Sequence, residues 1–289
     1  MMKYATANAF RGAIEARLLR DSREKHQDLA RLRRMVAFER FLVRLALRDP
    51  NPWVLKGGVA LEFRLADRAR ATRDIDLAMR ANLDDERTLR DELAESLAED
   101  PQGDLFEFRL ESIRLLSVVD ARGSVWRVRV DARLDGRTFE RIVVDAVGSD
   151  DDIIHTELLR LPSTLEFAGL PPVSIETVDR RQHFAEKLHA FTQTYGDRPN
   201  TRVKDLADLI LLIDDGVAPN AELRTTTAAV FMARTAGALP DALPDPPAGW
   251  NARYVELVEN LHLSARDVDA AMATLRAFWD ETLVATEEG

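Results

Sequence analysis

Two runs, Val125–Leu134 and Thr138–Val147, are rich in β-branched residues and joined by Asp135-Gly136. An Asp-Gly pair tolerates the positive φ angles of a two-residue hairpin turn, so this segment is committed to antiparallel sheet. In the first run Trp126, Val128 and Val130 fall on one face, and Val125, Arg127, Arg129 and Asp131 on the other. That alternation gives the sheet one packed face and one polar face. A third β-rich run, Leu105–Leu116, precedes them.

Elsewhere the spacing is helical. Phe10, Ile14 and Leu18 recur every four residues in a helix over about Asn8 to Leu19. A second helix covers about Asp28 to Leu47, until Pro50 and Pro52 stop it. Trp53-Val54-Leu55 reads as a short buried strand, Gly57-Gly58 as a turn, and Val59 to Ala66 as a helix. Asp74 to Met79 reads as a strand, and about Asp84 to Ala98 as an acidic helix. After Pro171-Pro172 helices are expected over about Val178 to Tyr195 and Val203 to Ile213. Two more are expected near Tyr254–His262 and Ala265–Thr282, beyond a proline-rich loop at 237–249. The expected architecture is α/β in the α+β sense: residues 1–160 form a mixed sheet with flanking helices, and 161–289 a mainly helical domain.

Composition narrows the function. The chain has no cysteine, which excludes disulfides and thiolate zinc sites. No signal peptide is visible behind Lys3 and Arg11, and no run of about 18 apolar residues suggests a membrane span. A cytoplasmic protein with no membrane partner is the expectation. The net charge of −10 is uneven: residues 1–80 hold 18 Lys+Arg against 10 Asp+Glu, the remainder 22 against 40. Arg17, Arg20, Arg31, Arg33, Arg34, Arg40, Arg44 and Arg48 lie on the first two helices, which makes that region the expected receiver of a nucleic acid. The alternative pairs them with acidic helices of the same chain.

Asp74-Ile75-Asp76 is the strongest chemical lead. Residues two apart in a strand face the same side, about 6.6 Å apart, and two adjacent carboxylates suit magnesium shared with substrate phosphates. Eighteen residues earlier, Lys56-Gly57-Gly58 follows a strand and opens a helix, where bare backbone N–H groups can approach a phosphate. Neither a P-loop nor a dinucleotide-type glycine pattern occurs. Lys204 and Asp208, four apart, could form a surface ion pair. His183 and His189 do not share a face as ligands would, and read as structural or surface groups.

Trp53-Val-Leu-Lys-Gly-Gly-Val-Ala-Leu61, followed by Arg70-Ala-Thr-Arg-Asp-Ile-Asp76, resembles the first motif of the AbiEii/AbiGii nucleotidyltransferase toxins. That family includes the mycobacterial MenT toxins and belongs to the polymerase-β-like superfamily. Ala185-Glu186-Lys187-Leu188 resembles its second motif, and Arg202-Val-Lys204-Asp205-Leu-Ala-Asp208 its third. The resemblance implies a nucleotidyltransferase-like fold, magnesium (with manganese as an alternative) and a nucleoside triphosphate donor. It also implies an RNA acceptor, the tRNA 3′ end, and an antitoxin partner. On the matched motifs Asp74 and Asp76 would hold the metal, while Lys56, Gly57, Gly58 and Thr72 would lie near phosphate. Lys187, Arg202, Lys204, Asp205 and Asp208 would complete the site. Such enzymes often carry a third carboxylate on a neighbouring strand; Asp145 is the candidate, with Asp131 second. Two other readings stand: a metal-dependent nuclease, or a non-catalytic RNA- or protein-binding module.

Overall fold

The computed structural model describes residues 2–81, 83, 85–118, 124–148, 153–193, 200–235, 237–259 and 261–286. These form two compact units. The first comprises Met1–Arg64, Ala71–Asp150 and Glu157–Thr177; the second comprises Leu65–Arg70, Asp151–Thr156 and Val178–Gly289. The chain passes between them more than once, so a single boundary at residue 160 does not describe the division.

The first unit is built on a seven-stranded mixed sheet. Its strands are β1 (Trp53–Lys56), β2 (Asp74–Met79), β3 (Glu107–Val118), β4 (Ser124–Leu134), β5 (Arg137–Gly148), β6 (Thr156–Arg160) and β7 (Ser174–Val178). Their spatial order is β3-β4-β5-β2-β1-β7-β6. Strand β2 pairs antiparallel with β1 and parallel with β5, and β3, β4 and β5 form an antiparallel meander. Asp135 and Gly136 both take positive φ, 57° and 68°, which makes the β4–β5 connection the two-residue hairpin that the Asp-Gly pair predicts.

Four helices belong to this unit: α1 (Ala7–Lys25), α2 (Leu29–Ala46), α3 (Gly57–Leu65) and α4 (Glu86–Ala98). Thr6 caps α1 by accepting the Ala9 N–H, and Asp28 caps α2 by accepting from Ala30 and Arg31. Helix α1 contacts β4, α2 contacts β5 and α4 contacts β3. Trp126, Val128, Val130, Ile142 and Val144 are buried with Phe10, Phe38 and Phe41 in one hydrophobic core. The meander therefore packs the face that carries Trp126, and its arginine-bearing face is free of that core.

The second unit contains α5 (Arg180–Thr192), α6 (Val203–Asp214), α7 (Ala221–Thr235), α8 (Trp250–Val258) and α9 (Val268–Val284). Helix α5 packs on α6 and α7, and α6 on α8 and α9. The expected end of α5 at Tyr195 lies outside the described residues. Sequence spacing does not reveal α7, because it carries Thr225, Thr226 and Thr227, residues of low helix preference. Thr226 and Thr227 are accommodated by returning their hydroxyls to the Glu222 and Leu223 carbonyls at 2.9 and 2.7 Å. Among the described residues no helix is long and apolar enough to cross a membrane.

Candidate active site

Strand β2 turns Asp74 and Asp76 to one face and buries Ile75 completely on the other, as strand geometry requires. Register then assembles a row across the sheet. Asp76 lies opposite Lys56 on β1 and opposite Asp145 on β5; Asp145 lies opposite Arg127 on β4, and Arg127 opposite Arg114 on β3. Directly opposed residues share a face, so Lys56, Asp76, Asp145, Arg127 and Arg114 line one side of the sheet in that order.

Gly57 ties this row to the helix that follows it. Its φ is +64°, and a Cβ placed there would stand 1.8 Å from Asp76 Oδ2 and 2.6 Å from its Cγ. The Asp76 carboxylate thus occupies the space that any side chain at residue 57 would need. It lies against the first turn of α3, where backbone N–H groups carry positive potential.

A relay behind the site positions Asp74. Arg31 Nε donates to Glu62 Oε1 at 2.7 Å, and Glu62 Oε2 accepts the Thr72 N–H at 3.0 Å. The Thr72 hydroxyl lies 3.4 Å from both the Asp74 carbonyl and Asp74 Oδ1. Arg34 Nη1 donates to the Thr72 carbonyl at 3.2 Å. Burial pushes the Glu62 carboxyl above its ordinary value, and the Arg31 charge opposes that rise. Thr72 is buried and links Glu62 to Asp74 through its N–H and its hydroxyl.

Asp145 stands on the strand next to Asp76, on the same face. Both of its oxygens accept from Arg127, Nε at 2.8 Å and Nη2 at 2.7 Å, a bidentate pair. Arg127 is held more firmly protonated than usual, first by the hydrogen bond to Asp145, with the charges of Asp145, Asp74 and Asp76 adding to it. Among the described residues no three His, Cys, Asp or Glu side chains gather to hold a metal ion. Asp145 is thus paired with Arg127, and it stands in the same row of the sheet as Asp76. Asp131, the second candidate, is bound to Arg133 and Thr138.

The helical unit holds the later motifs. Lys187 Nζ lies 2.9 Å from Asp205 Oδ1 and 2.9 Å from Asp208 Oδ2. Arg70 closes the cluster by donating Nε and Nη2 to the two Asp208 oxygens at 2.9 and 2.8 Å. Burial works against the Lys187 charge, but Asp208 and Asp205 outweigh it and its pKa is raised. Burial likewise opposes the Asp208 charge, while Lys187 and Arg70 bring its pKa down to about 2. Lys187 and Asp208 are thus each held in the charged form. Arg202, just before α6, approaches Asp205 at 3.7 Å. Lys204 is exposed, and Asp208 turns inward, so the surface pair considered for Lys204 and Asp208 does not form. His183 is buried and His189 packs edge-on to Phe231 at 4.9 Å, which places both in the core of the unit.

A comparison with protein families matches residues 40–276 to "Nucleotidyl transferase AbiEii toxin, Type IV TA system". The chain belongs to the AbiEii family. Membership makes it a nucleotidyltransferase of a toxin–antitoxin class, with which a nucleoside triphosphate substrate and an antitoxin partner go. Solved structures similar to this AbiEii protein include an H. pylori protein assigned as a nucleotidyltransferase, at 15% identity and TM-score 0.40 over 86% of this chain and 87% of that one. An antigenic nucleotidyltransferase-like protein from Paracoccidioides brasiliensis is 18% identical, with TM-score 0.41 over 68% and 88%. ANT(2″)-Ia in complex with adenylyl-2″-tobramycin is 15% identical, with TM-score 0.36 over 68% and 96%. A comparison with curated proteins found no match.

Arg70 and Arg127 are the residues paired with candidate site carboxylates that sequence reasoning did not single out. Arg70 stands inside a quoted motif, but its partner Asp208 is 138 positions away. Arg127 had a readable signal, since it shares the polar face of a hairpin with Asp145.

Proposed function

We propose that this AbiEii protein transfers a nucleoside monophosphate from a nucleoside triphosphate to the 3′ end of an RNA, a tRNA, and so blocks translation. The observation that carries this reading is the Asp74/Asp76 pair, set beside Lys56 and against the Gly57 turn at the start of α3. An all-oxygen pair on a rigid strand, next to a helix N-terminus, fits magnesium and a polyphosphate. Asp74 and Asp76 would hold the metal; when bound, it would supply charge neutralisation at the reacting phosphate.

The chain's own residues do the rest. Lys56 and the N–H groups opening α3 bind and orient the phosphates, which is the largest part of phosphoryl-transfer catalysis. The acceptor hydroxyl gives its proton to solvent water and its oxygen bonds to the α-phosphorus. The bond between that phosphorus and the oxygen bridging to the β-phosphate breaks, and pyrophosphate leaves. Arg31, Glu62 and Thr72 keep Asp74 in place throughout. Within the helical unit, Lys187, Asp205, Asp208 and Arg202 hold the second and third motifs together as one charge cluster. Lys204 is an outward cation available to an anionic ligand.

Incubation of the protein with bulk tRNA, magnesium and each α-labelled triphosphate tests the reading. Label on the RNA is the expected result. Shortened RNA would indicate a nuclease, and unchanged RNA a binding module. The AbiEii assignment adds a cellular expectation: wild-type expression arrests growth and Asp74→Asn expression does not.

A further inference from the structure

The first two helices, the expected landing site for RNA, are a poor one. Arg33 pairs with Glu15 at 2.5 Å, Arg31 with Glu62 at 2.7 Å, and Arg48 with Glu95 at 2.8 Å. Arg40 and Arg44 are buried and bonded to Glu39 and Asp104. Arg17 lies over the Phe167 ring. The carboxylates of the same unit already answer most of these charges.

The polar face of the meander is different. Arg114, Arg129 and Arg141 are exposed, and among the described residues their side chains have no hydrogen-bond or ion-pair partner. The acidic groups of this face are occupied, Asp145 by Arg127 and Asp131 by Arg133 and Thr138. The arginines are also placed in order. Arg114 continues the register row Lys56, Asp76, Asp145, Arg127. Arg129 lies two residues along β4, opposite Val143, which in turn faces Asp74. Arg141 lies two residues further, opposite Asp131. With strands about 4.8 Å apart and a rise of about 3.4 Å per residue, Arg141 lies roughly 8 Å and Arg129 roughly 10 Å from Asp74, and Arg114 roughly 14 Å from Asp76, a diagonal strip that flanks the acidic pair.

We propose that Arg114, Arg129 and Arg141 form the track on which the RNA acceptor's phosphate backbone lies, its reacting end beside Asp74 and Asp76. This rests on the transferase reading above. A guanidinium on an exposed strand face contacts phosphate without reading sequence, which suits an acceptor held by its backbone. An acidic protein surface is the competing occupant. A polymer whose end must reach the carboxylate pair is favoured, because Arg114 and Arg129 lie in the rows of Asp76 and Asp74 and Arg141 stands on the strand beside them.

The test uses the full chain and a fluorescent single-stranded RNA, with affinity read by anisotropy across a salt series. Each phosphate contact contributes roughly 0.7 to the slope of log affinity against log salt for a single strand. The triple variant Arg114→Ala/Arg129→Ala/Arg141→Ala is expected to flatten the slope by about 2, with melting temperature and binding of a fluorescent triphosphate unchanged. Arg33→Ala is expected to leave the slope as in the wild type. If wild type and triple variant bind RNA with the same slope, the track is elsewhere, the strip falls to a protein partner, and the transferase reading survives. If the wild type binds no RNA yet transfers label to another acceptor, both the track and the RNA acceptor are overturned.

Discussion

Gly57 is where backbone and chemistry meet most tightly. Gly57→Ala demands an L side chain at φ +64° and places its Cβ within 1.8 Å of Asp76 Oδ2. The backbone strain alone costs about 1–2 kcal/mol, and the carboxylate must also leave its position. Nucleotide transfer is therefore expected to fall by more than the melting temperature shift explains, as steady-state kinetics and thermal melts on one preparation will reveal. Glu62 allows a subtler test, because it is buried and bonded to Arg31 and to the Thr72 N–H. Glu62→Ala frees the Thr72 N–H and Arg31, loosening Asp74. Transfer should drop about 10–100-fold, the range seen when supports of a metal ligand are removed, with triphosphate affinity little changed. Equal kcat in the variant would dismiss the relay. At this scale the shared face of Asp74 and Asp76 and the turn at Gly57 were legible in the sequence, since strand period and turn chemistry are local. The role of Thr72 was not, because it depends on Glu62, ten residues away across a helix.

Among the elements, the hairpin was the most legible. Asp135-Gly136 fixed its turn, and alternation fixed which face is packed. Strands β6 and β7 and helix α7 were not legible: the strands have five residues each, and α7 carries three successive threonines. The arginines of α2 teach a related lesson. Composition detects a basic helix but not the distant carboxylates that neutralise it. Arg44 donates to Asp104 at 2.5 Å and to the Glu99 and Phe106 carbonyls at 2.7 and 3.0 Å. Arg44→Ala leaves Asp104 buried without that partner, so it should cost about 3–5 kcal/mol in denaturant melts. The RNA salt slope of the folded variant is expected to stay that of the wild type. A flattened slope with full stability would restore α2 as the nucleic-acid element.

For the molecule as a whole, the Lys187–Asp208–Arg70 cluster couples stability to pH. The Asp208 carboxyl moves from 3.8 to about 2, so its contribution is present above pH 4 and is lost as pH falls toward 2. Lys187 is raised, so its contribution holds at neutral pH and is lost only in strong alkali. The stability gap between wild type and Asp208→Asn should therefore be constant near neutrality and narrow between pH 4 and pH 2. A gap independent of pH through that window would mean that Asp208 is not held ionised by its two cations. Lys187→Ala takes the shared cation from two buried carboxylates, leaving Asp208 with Arg70 alone, and should cost up to about 3–5 kcal/mol, so lost activity in that variant must be read against its melting curve.

The central claim is that Asp74 and Asp76 form the metal-holding pair of a nucleotidyltransferase. Its most direct measurement is label transfer from an α-labelled triphosphate to tRNA by wild type and Asp76→Asn, at matched concentration and magnesium. Replacing one carboxylate by its neutral isostere keeps the shape and removes charge. Transfer should fall by roughly 100-fold or more, about 3 kcal/mol or more in the barrier, while the melting temperature holds or rises as carboxylate repulsion is relieved. Transfer by Asp76→Asn at the wild-type rate would contradict the account.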